Sequence, residues 1–315
     1  MIDEAPVKPR PDPPLEKRPV AVVFNGRAGA LLDRSDAASE VAETFAAAGL
    51  DPTFIPNAAG TLPQRVLQAA RTGAEFVVVA GGDGTIACAA QVLAGTDTPL
   101  GILPSGTMNL LAKDLGIPIG DMDAAIALLA HGKPRRIDVG EVGGRVFLCA
   151  SMLGLPADLG RHREAQRAGG PAWRRWVRFA GSVLRTAQRY VARRLLLEFP
   201  DGAVASRAPS ITVVVNRLDD SSGRLFARTR LDGGEFGVHL AQRPRLREIV
   251  PLALDLLRGD WHAGGVIEER RAPELTVRAR RRAIRVMNDG EAMILPVPLR
   301  YRIRPAALSV IAPVA

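Results

Sequence analysis

One stretch, residues 81–85 (Gly-Gly-Asp-Gly-Thr), restricts the fold of this chain more than any other. It follows residues 75–80 (Glu-Phe-Val-Val-Val-Ala), a short apolar run that is typical of a strand buried on both faces of a parallel sheet. The glycines end this strand, and Thr85 is expected to cap a helix over residues 86–93. A strand that turns directly into a helix is the repeating unit of an α/β domain.

The start of such a helix is a favourable place for phosphate, because its first N–H groups have no partner within the helix. Gly81, Gly82 and Gly84 permit special backbone angles and close approaches, so an anionic ligand could lie against the main chain. Asp83 would repel a phosphate unless a cation lay between them, which indicates Mg²⁺ or an orienting role. An ordinary corner with an exposed aspartate is the plainer alternative, but three glycines around one acid exceed what a turn requires.

Two more turns of this kind lie in the first half of the chain. Residues 19–24 form an apolar strand pattern that ends at residues 25–29, and the strand pattern of residues 99–103 ends at residues 104–109, before a helix over 110–115. Helices are also predicted at residues 35–49, 61–71 and 121–131, and a strand at 51–56. This alternation predicts a doubly wound, Rossmann-like parallel sheet whose carboxyl-end loops form a site.

The second half has a different pattern. Short alternating or β-branched runs at residues 136–142, 145–150, 210–216, 237–242, 274–279, 283–287, 294–303 and 308–311 predict an antiparallel, sandwich-like sheet. The predicted fold class is therefore α/β, with a β-rich second domain. We assign residues 1–18 to a disordered tail, 19–134 to the α/β domain, 135–304 to the β-rich domain with a basic helical insertion at 158–196, and 305–315 to a segment that could return to the first domain.

Charge is distributed unevenly along the chain. The net charge is +9, yet residues 19–130 contain five basic and eleven acidic side chains, so the second half is strongly basic. Residues 161–194 contain ten arginines and one glutamate, with apolar residues at helical spacing. Such a stripe is compatible with an anionic membrane surface; the alternative is a core-packing helix with a solvated basic face. Nucleic acid is not expected as a partner, because no binding motif is found and only 4% of residues are aromatic.

Other features limit the class of protein. No apolar stretch approaches the ~18 residues of a membrane helix, and the first residues do not resemble a signal peptide. The two cysteines, Cys88 and Cys149, have the pattern of small core residues and not that of a disulfide or metal cluster. A cytoplasmic protein, peripherally associated with the inner face of a membrane, is the resulting expectation.

Taken together, the three turns resemble the signature of the soluble diacylglycerol kinase catalytic domain family, which includes bacterial lipid kinases and is related to sphingosine and ceramide kinases. Residues 81–85 alone are shared with NAD kinases, but the Pro-x-Gly-Thr-x-Asn turn of residues 104–109 is more specific to lipid kinases. The resemblance covers about residues 19–152, and resumes at 231–236 and 288–291. It implies a cleft for ATP and Mg²⁺ between the two domains.

The resemblance also implies roles for individual residues. Glu291 takes the place of the catalytic base, which accepts a proton from a lipid hydroxyl, and Asp83 would help to hold the Mg²⁺ of ATP. Asn109 and Asp289 are expected to have secondary, structural roles. Asp232 is a weaker metal candidate. The expected ATP-binding residues are Asn25, Gly26, Arg27, Ala28, Gly29, Asn57, Gly81, Gly82, Asp83, Gly84, Thr85, Ile86, Ala87, Cys88 and Thr107.

Three departures from the family pattern stand beside these matches. Gly26 replaces a usual proline, Gly233 stands where the family commonly has an aspartate next to a structural Mg²⁺, and Pro156 interrupts a turn that usually carries an acid. On residue pattern alone, Asp289 and Gly290 are explained as a two-residue hairpin turn with no further function.

We therefore expect an ATP-dependent lipid kinase, a phosphotransferase with an alcohol acceptor, that acts on diacylglycerol or a related lipid at an anionic membrane surface. Two alternatives stay open: an NAD-kinase-like enzyme with a soluble acceptor, and a catalytically degenerate member that only binds nucleotide or lipid. A homodimer is also considered.

Overall fold

The computed structural model describes residues 17–25, 35–154, 194–218, 227–228, 230–241 and 267–314. Strands and helices alternate in the first half. Its strands are β1 (Arg18–Phe24), β2 (Leu50–Phe54), β3 (Phe76–Gly81) and β4 (Leu100–Pro104). Its helices are α1 (Ser35–Ala47), α2 (Leu62–Ala70), α3 (Asp83–Leu93), α4 (Leu110–Asp114) and α5 (Met122–His131), with a short 3-10 helix at Asn57–Ala59.

These four strands form a parallel arrangement in the order β2-β1-β3-β4. The chain leaves β1 toward β2 on one side, and returns to place β3 on the other side of β1. The strand order therefore reverses between β1 and β3. In open α/β sheets, ligands bind in the crevice beyond the carboxyl ends of the strands at such a point.

The second half is rich in antiparallel strands. They are β5 (Lys133–Val142), β6 (Arg145–Phe147), β7 (Ala150–Gly154), β8 (Leu195–Phe199), β9 (Gly202–Ser206), β10 (Ser210–Val215), β11 (Phe236–Ala241), β12 (Ile267–Ala272), β13 (Glu274–Ala279), β14 (Ala283–Asn288), β15 (Glu291–Pro296) and β16 (Leu299–Ala312). A six-stranded sheet has the order β12-β11-β10-β7-β14-β15. The predicted α/β class with a β-rich second region is confirmed.

Strand β16 joins the two halves. Its first part pairs with β13. Residues 301–304 and 308–312 pair with β5 on either side of an irregularity, and Val310 pairs in parallel with Leu100 of β4. The ten-stranded sheet thus continues from the parallel strands through β16 to β13, β8 and β9.

Two apolar clusters form the core. The first surrounds the parallel strands and includes Leu308, Val310 and Ile311 of β16. The second lies between the two sheets of the β-rich half, where Phe147, Phe236 and Tyr301 contact one another through their rings.

Some local predictions need correction. Helix α3 begins at Asp83 with Gly82 as its N-cap, so Thr85 lies inside the first turn and does not cap it. The strand predicted at residues 145–150 is interrupted at Leu148 and Cys149. Strands β8, β9 and β12 were not expected, and Leu195 and Leu196, assigned to the helical insertion, belong to β8. Most of the basic segment, residues 161–193, lies outside the described residues.

Among the helices of the described ranges, none combines the length and the apolar character needed to cross a bilayer.

Candidate active site

The residues after β1 and β3 meet at the point where the strand order reverses. Asn25 follows β1, and its backbone N–H donates to the carbonyl of Ala80 at 3.1 Å. Its side-chain amide donates to Oγ1 of Thr85 at 2.9 Å. The first and second predicted phosphate turns are therefore joined at this point, although Gly26, Arg27, Ala28 and Gly29 lie outside the described residues.

Each of the three glycines in the second turn lies in close contact with another group. A side chain on Gly81 would collide with Thr85, and one on Gly82 would lie 3.1 Å from the Cα of Gly106 in the third turn. A Cβ on Gly84 would lie 2.5 Å from Oε1 of Glu291. None of the three has a positive φ. The glycines thus permit close packing of three chain segments, and the expected need for special backbone angles is not met.

Asp83 connects the second turn to the third. Its two carboxylate oxygens accept hydrogen bonds from the backbone N–H groups of Asn109, at 2.9 Å, and Leu110, at 2.6 Å. The carboxylate therefore orients the start of α4, which is the orienting role considered from the sequence. Each oxygen retains a lone pair for a further contact.

Asn109 shapes the third turn from within. It has a positive φ of 48°, it is 4% exposed, and its side chain bonds to both the N–H and the carbonyl of Gly106, at 2.9 and 2.8 Å. Asparagine tolerates this backbone region better than most residues. The predicted structural role of Asn109 thus has a physical basis, and the neighbouring Thr107 is left exposed.

Glu291 reaches this region from the other half of the chain. It begins β15, directly after the two-residue turn of Asp289 and Gly290, and its carboxylate lies against Gly84 in the first turn of α3. Burial, followed by the negative charge of Glu291, raises the pKa of Cys88 on the same helix. The side chain predicted as base and the Gly-Gly-Asp-Gly-Thr turn therefore lie together, although they are far apart in sequence.

Comparison with known proteins agrees with this geometry. The family model described as "Diacylglycerol kinase catalytic domain" matches residues 19–142. The match covers the parallel half of the chain and strand β5, and these residues are similar to the diacylglycerol kinase catalytic domain family.

Similar proteins extend the comparison. A "Diacylglycerol kinase" of Mycobacterium tuberculosis is 46% identical over 70 residues, which is 22% of this chain and only 23% of that protein. A "Diacylglycerol kinase" of Bacillus subtilis is 33% identical over 130 residues, covering 40% of this chain and 43% of the relative. A "Probable lipid kinase YegS-like" of Pseudomonas syringae pv. tomato is 28% identical over 257 residues, 80% of each chain.

A solved structure of a diacylglycerol kinase from Bacillus anthracis superposes with a TM-score of 0.65 and 16% identity, over 96% of this chain and 98% of that one. At this identity the likeness shows the shared fold, and it includes both halves of the chain.

Asp289 does more than form a hairpin turn. Asp289 and Gly290 have φ values of 46° and 89°, as a two-residue hairpin turn requires, so that interpretation is confirmed. In addition, the Asp289 carboxylate accepts from the backbone N–H groups of Leu148, Cys149 and Ala150, at 2.6, 2.8 and 3.0 Å. Burial raises the pKa of this carboxyl group, and the three hydrogen bonds oppose that rise. The side chain thereby ties the hairpin that carries Glu291 to the start of β7.

A buried ion pair also contacts the residues just before β7. Asp114, at the end of α4, lies 2.8 Å from Arg228, with only 3% and 1% of the two side chains exposed. Arg228 also donates to the carbonyls of Leu148 and Val215, at 2.6 and 3.1 Å. Sequence reasoning missed this pair, because the two residues are separated by more than a hundred positions and match no motif.

Arg65 was missed as well. It lies on α2 and contacts Asn25 and Asn57, two of the predicted ATP-binding residues. The signal was present in the sequence, since residues 62, 65, 66 and 69 share one helical face, and the face is otherwise apolar. A basic residue on a buried face indicates a specific partner.

Other predicted residues are placed as follows. Ile86 is buried in the first core, whereas Ala87 and Cys88 are half-buried on α3. Asp232, the weaker metal candidate, forms an ion pair with Arg230 at 3.3 Å and is half exposed. Within the described residues no group of three metal-ligating side chains is found. Gly233 donates its N–H to Asn216, and Pro156 lies outside the described ranges.

Proposed function

We propose that the protein is an ATP-dependent lipid kinase, which transfers the γ-phosphate of ATP to the hydroxyl of diacylglycerol or a related lipid. The observation that carries this proposal is the contact between Glu291 and Gly84. It puts a carboxylate from the β-rich half over the first turn of α3. A lipid acceptor is supported by the names of the relatives, which are diacylglycerol kinases and YegS-like lipid kinases.

The phosphates would bind mainly to the main chain. The first turn of α3 presents backbone N–H groups and the positive end of the helix dipole. Gly82 and Gly106 approach each other without side chains, so the floor between the second and third turns is formed by backbone. Phosphoryl transfer depends on positioning and on stabilisation of charge, which such a floor can supply.

Glu291 would act on the acceptor. Its carboxylate is exposed and can therefore meet the hydroxyl of an incoming lipid. A carboxylate within hydrogen-bond reach of that hydroxyl accepts its proton as the new bond to phosphorus forms. Asp289 would keep the hairpin in place for this step through its three backbone contacts.

Asp83 fits a nucleotide-bound Mg²⁺. Such an ion usually takes one or two protein carboxylates and completes its shell with phosphate oxygens and water. Each carboxylate oxygen of Asp83 accepts one hydrogen bond at the start of α4 and has a further lone pair that could bind a metal ion. When bound there, Mg²⁺ would neutralise charge on the phosphates of ATP.

The test is a kinase assay with Mg-ATP and mixed micelles of diacylglycerol, sphingoid base or ceramide. We expect one of these lipids to acquire phosphate, and Glu291→Gln to reduce turnover by about 100-fold or more, as is typical for loss of a general base. Glu274→Gln, at another exposed glutamate that begins a strand, is the matched control and should be neutral. If no lipid is phosphorylated, or if both variants behave alike, the mechanism is wrong.

The assay also separates the alternatives. Activity on a soluble acceptor without micelles would favour an NAD-kinase-like enzyme. ATP binding without transfer to any lipid would favour a degenerate member.

We further propose that the enzyme meets its lipid at an anionic membrane surface. An open cleft near the edge of the ten-stranded sheet includes Leu196, which is 37% exposed. The arginines that line it are Arg194, Arg207, Arg278 and Arg280. Apolar surface beside several cations is suited to anionic lipid.

Vesicle binding tests the membrane proposal. Sedimentation with anionic vesicles should weaken as salt is added, because exposed charges are screened. Replacement of Arg194, Arg207 and Arg280 by glutamine should weaken it further, whereas Arg71→Gln on the exposed end of α2 should not. Binding that ignores both salt and these substitutions would reject this surface.

A further inference from the structure

Helix α2 buries a guanidinium group beneath the predicted nucleotide site. Arg65 is only 5% exposed and lies on the same face as Val66 and Ala69. Its Nη1 donates to the carbonyl of Phe24 and to Oδ1 of Asn57, each at 2.7 Å, and its Nη2 lies 3.5 Å from Oδ1 of Asn25. Arg65 thus contacts both the end of β1 and the 3-10 helix that follows β2.

This cation has no carboxylate partner in the described part of the chain. Its Nε is buried and finds no hydrogen-bond partner there. Burial lowers the pKa of Arg65, and no acidic neighbour offsets the effect. A buried positive charge of this kind is costly unless an anion compensates it.

Arg65 also decides how its neighbours are oriented. A guanidinium donates hydrogen bonds and accepts none, so the carbonyl oxygens of Asn25 and Asn57 must face it. Their amide N–H₂ groups are therefore directed away from Arg65. Asn25 donates one of its N–H bonds to Oγ1 of Thr85, so the Thr85 hydroxyl acts as acceptor in that contact and keeps its own proton for another partner.

The contacts of Arg65 therefore leave several hydrogen-bond donors that are directed away from it. The remaining N–H bond of Asn25, the amide of Asn57 and the hydroxyl of Thr85 are all left to donate, and these residues follow β1, β2 and β3 in turn. A ligand that fits them presents several acceptors and negative charge. The phosphate groups of a nucleoside triphosphate have both properties.

We infer that Arg65 is a positioning residue of the nucleotide site, which turns the Asn25, Asn57 and Thr85 donors toward the nucleotide phosphates and supplies a positive charge behind them. This inference rests on the proposed function, since it assumes that a nucleotide binds between these turns. It adds a residue to the site that the predicted contacts do not include.

The first test measures nucleotide affinity directly. Isothermal titration with Mg-ADP and with Mg-ATP compares the wild-type chain with Arg65→Met, which keeps the length of the side chain but removes its donors and charge. We expect affinity to fall about tenfold or more, as for loss of charge-assisted hydrogen bonds. Arg71→Met, at the exposed end of the same helix, is the matched control and should bind as the wild type does.

Kinetics separate positioning from general damage. The KM for ATP should rise in Arg65→Met, while the KM for lipid and the kcat at saturating ATP change little. A merely structural role would lower the active fraction and hence kcat, and would leave both KM values unchanged.

A second variant keeps the inference testable if Arg65→Met does not fold. Asn57→Asp puts a carboxylate where Oδ1 now lies 2.7 Å from Arg65, and also removes a donor. The ion pair should raise the Tm of the free protein, while nucleotide affinity falls. Higher Tm with unchanged affinity would overturn the role of Arg65.

The wild-type titration separates failure of the proposed function from failure of the proposed role of Arg65. If the wild type binds neither nucleotide, the proposed function fails, and this inference fails with it. If the wild type binds nucleotide and Arg65→Met binds it equally well, the proposed function stands and the inference about Arg65 is wrong.

Discussion

Gly84 has no side chain, and the Glu291 carboxylate occupies the space where one would lie. Its φ is not positive, so alanine fits the backbone, and alanine is favoured over glycine in a helix by about 1 kcal/mol. We expect Gly84→Ala to unfold at the same or higher urea concentration, but to lose most of its lipid kinase turnover, because the new methyl group displaces Glu291. Urea unfolding and the mixed-micelle assay measure the two effects.

A double-mutant cycle supplies the control for Gly84→Ala. If displacement of Glu291 is the cause, Gly84→Ala should reduce turnover no further in a Glu291→Gln background. If the two substitutions instead reduce turnover independently, the new methyl group acts on nucleotide binding and not on Glu291.

Asp289 offers a residue-scale test of the hairpin. Asp289→Asn keeps a residue that tolerates positive φ, but it turns an amide N–H₂ toward backbone groups that are themselves donors. The free energy of unfolding should fall by about 1–3 kcal/mol, the cost of leaving a buried polar group unsatisfied. Chemical denaturation checks this, with Asp201→Asn in the exposed β8–β9 turn as a neutral comparison. Equal stability of the two variants would contradict it.

At the scale of elements, the parallel half of the fold could be predicted because its signals are local. The apolar run before Gly81 predicts β3 within one residue, and Thr61 before α2 marks the helix start, where Gln64 accepts from its N–H and its hydroxyl. Strands β8 and β9 were missed because they directly follow a long basic segment with helical periodicity, which dominated the pattern there.

The site was predictable only in part, for a related reason. Glycines and asparagines at turns leave a sequence signature, whereas pairings between distant elements do not. Arg228 illustrates this, since its partner Asp114 and its carbonyl acceptor Leu148 lie 114 and 80 positions away. Such a contact is decided by packing and cannot be recognised from spacing.

Arg228 pairs with Asp114 of α4 and also donates to Leu148 in the loop before β7, so removal of the ion pair tests coupling between these elements. Asp114→Asn should lower the free energy of unfolding by about 3–5 kcal/mol, because it leaves a buried charge without its partner. Arg228→Met should cost at least as much, since two buried carbonyls also lose their donor. Urea unfolding measures both variants.

The surface pair Arg136 and Asp97 is the matched comparison, because its carboxylate is fully exposed. Asp97→Asn should cost less than about 1 kcal/mol. The double variant Asp114→Asn with Arg228→Met should be more stable than the sum of the single losses predicts. If Asp114→Asn costs no more than Asp97→Asn, the buried pair does not hold the two elements together.

At the scale of the whole molecule, the parallel sheet depends on the last strand. Leu308, Val310 and Ile311 of β16 are fully buried in the first core, where each contributes about 1.5–3 kcal/mol through loss of apolar surface to water. Together they approach the total stability of a typical domain, about 5–15 kcal/mol. The α/β half therefore needs residues that follow the β-rich half in sequence.

Truncation tests this dependence. A chain that ends at Pro305 keeps all the predicted nucleotide-binding residues, but we expect it to lose cooperative unfolding in urea and to bind no Mg-ADP, because β4 loses its β16 partner and residues 133–137 of β5 lose theirs. Removal of only residues 313–315, which follow β16, should change neither property. If the chain ending at Pro305 still unfolds cooperatively and binds Mg-ADP, the parallel sheet is stable without residues 306–312 of β16.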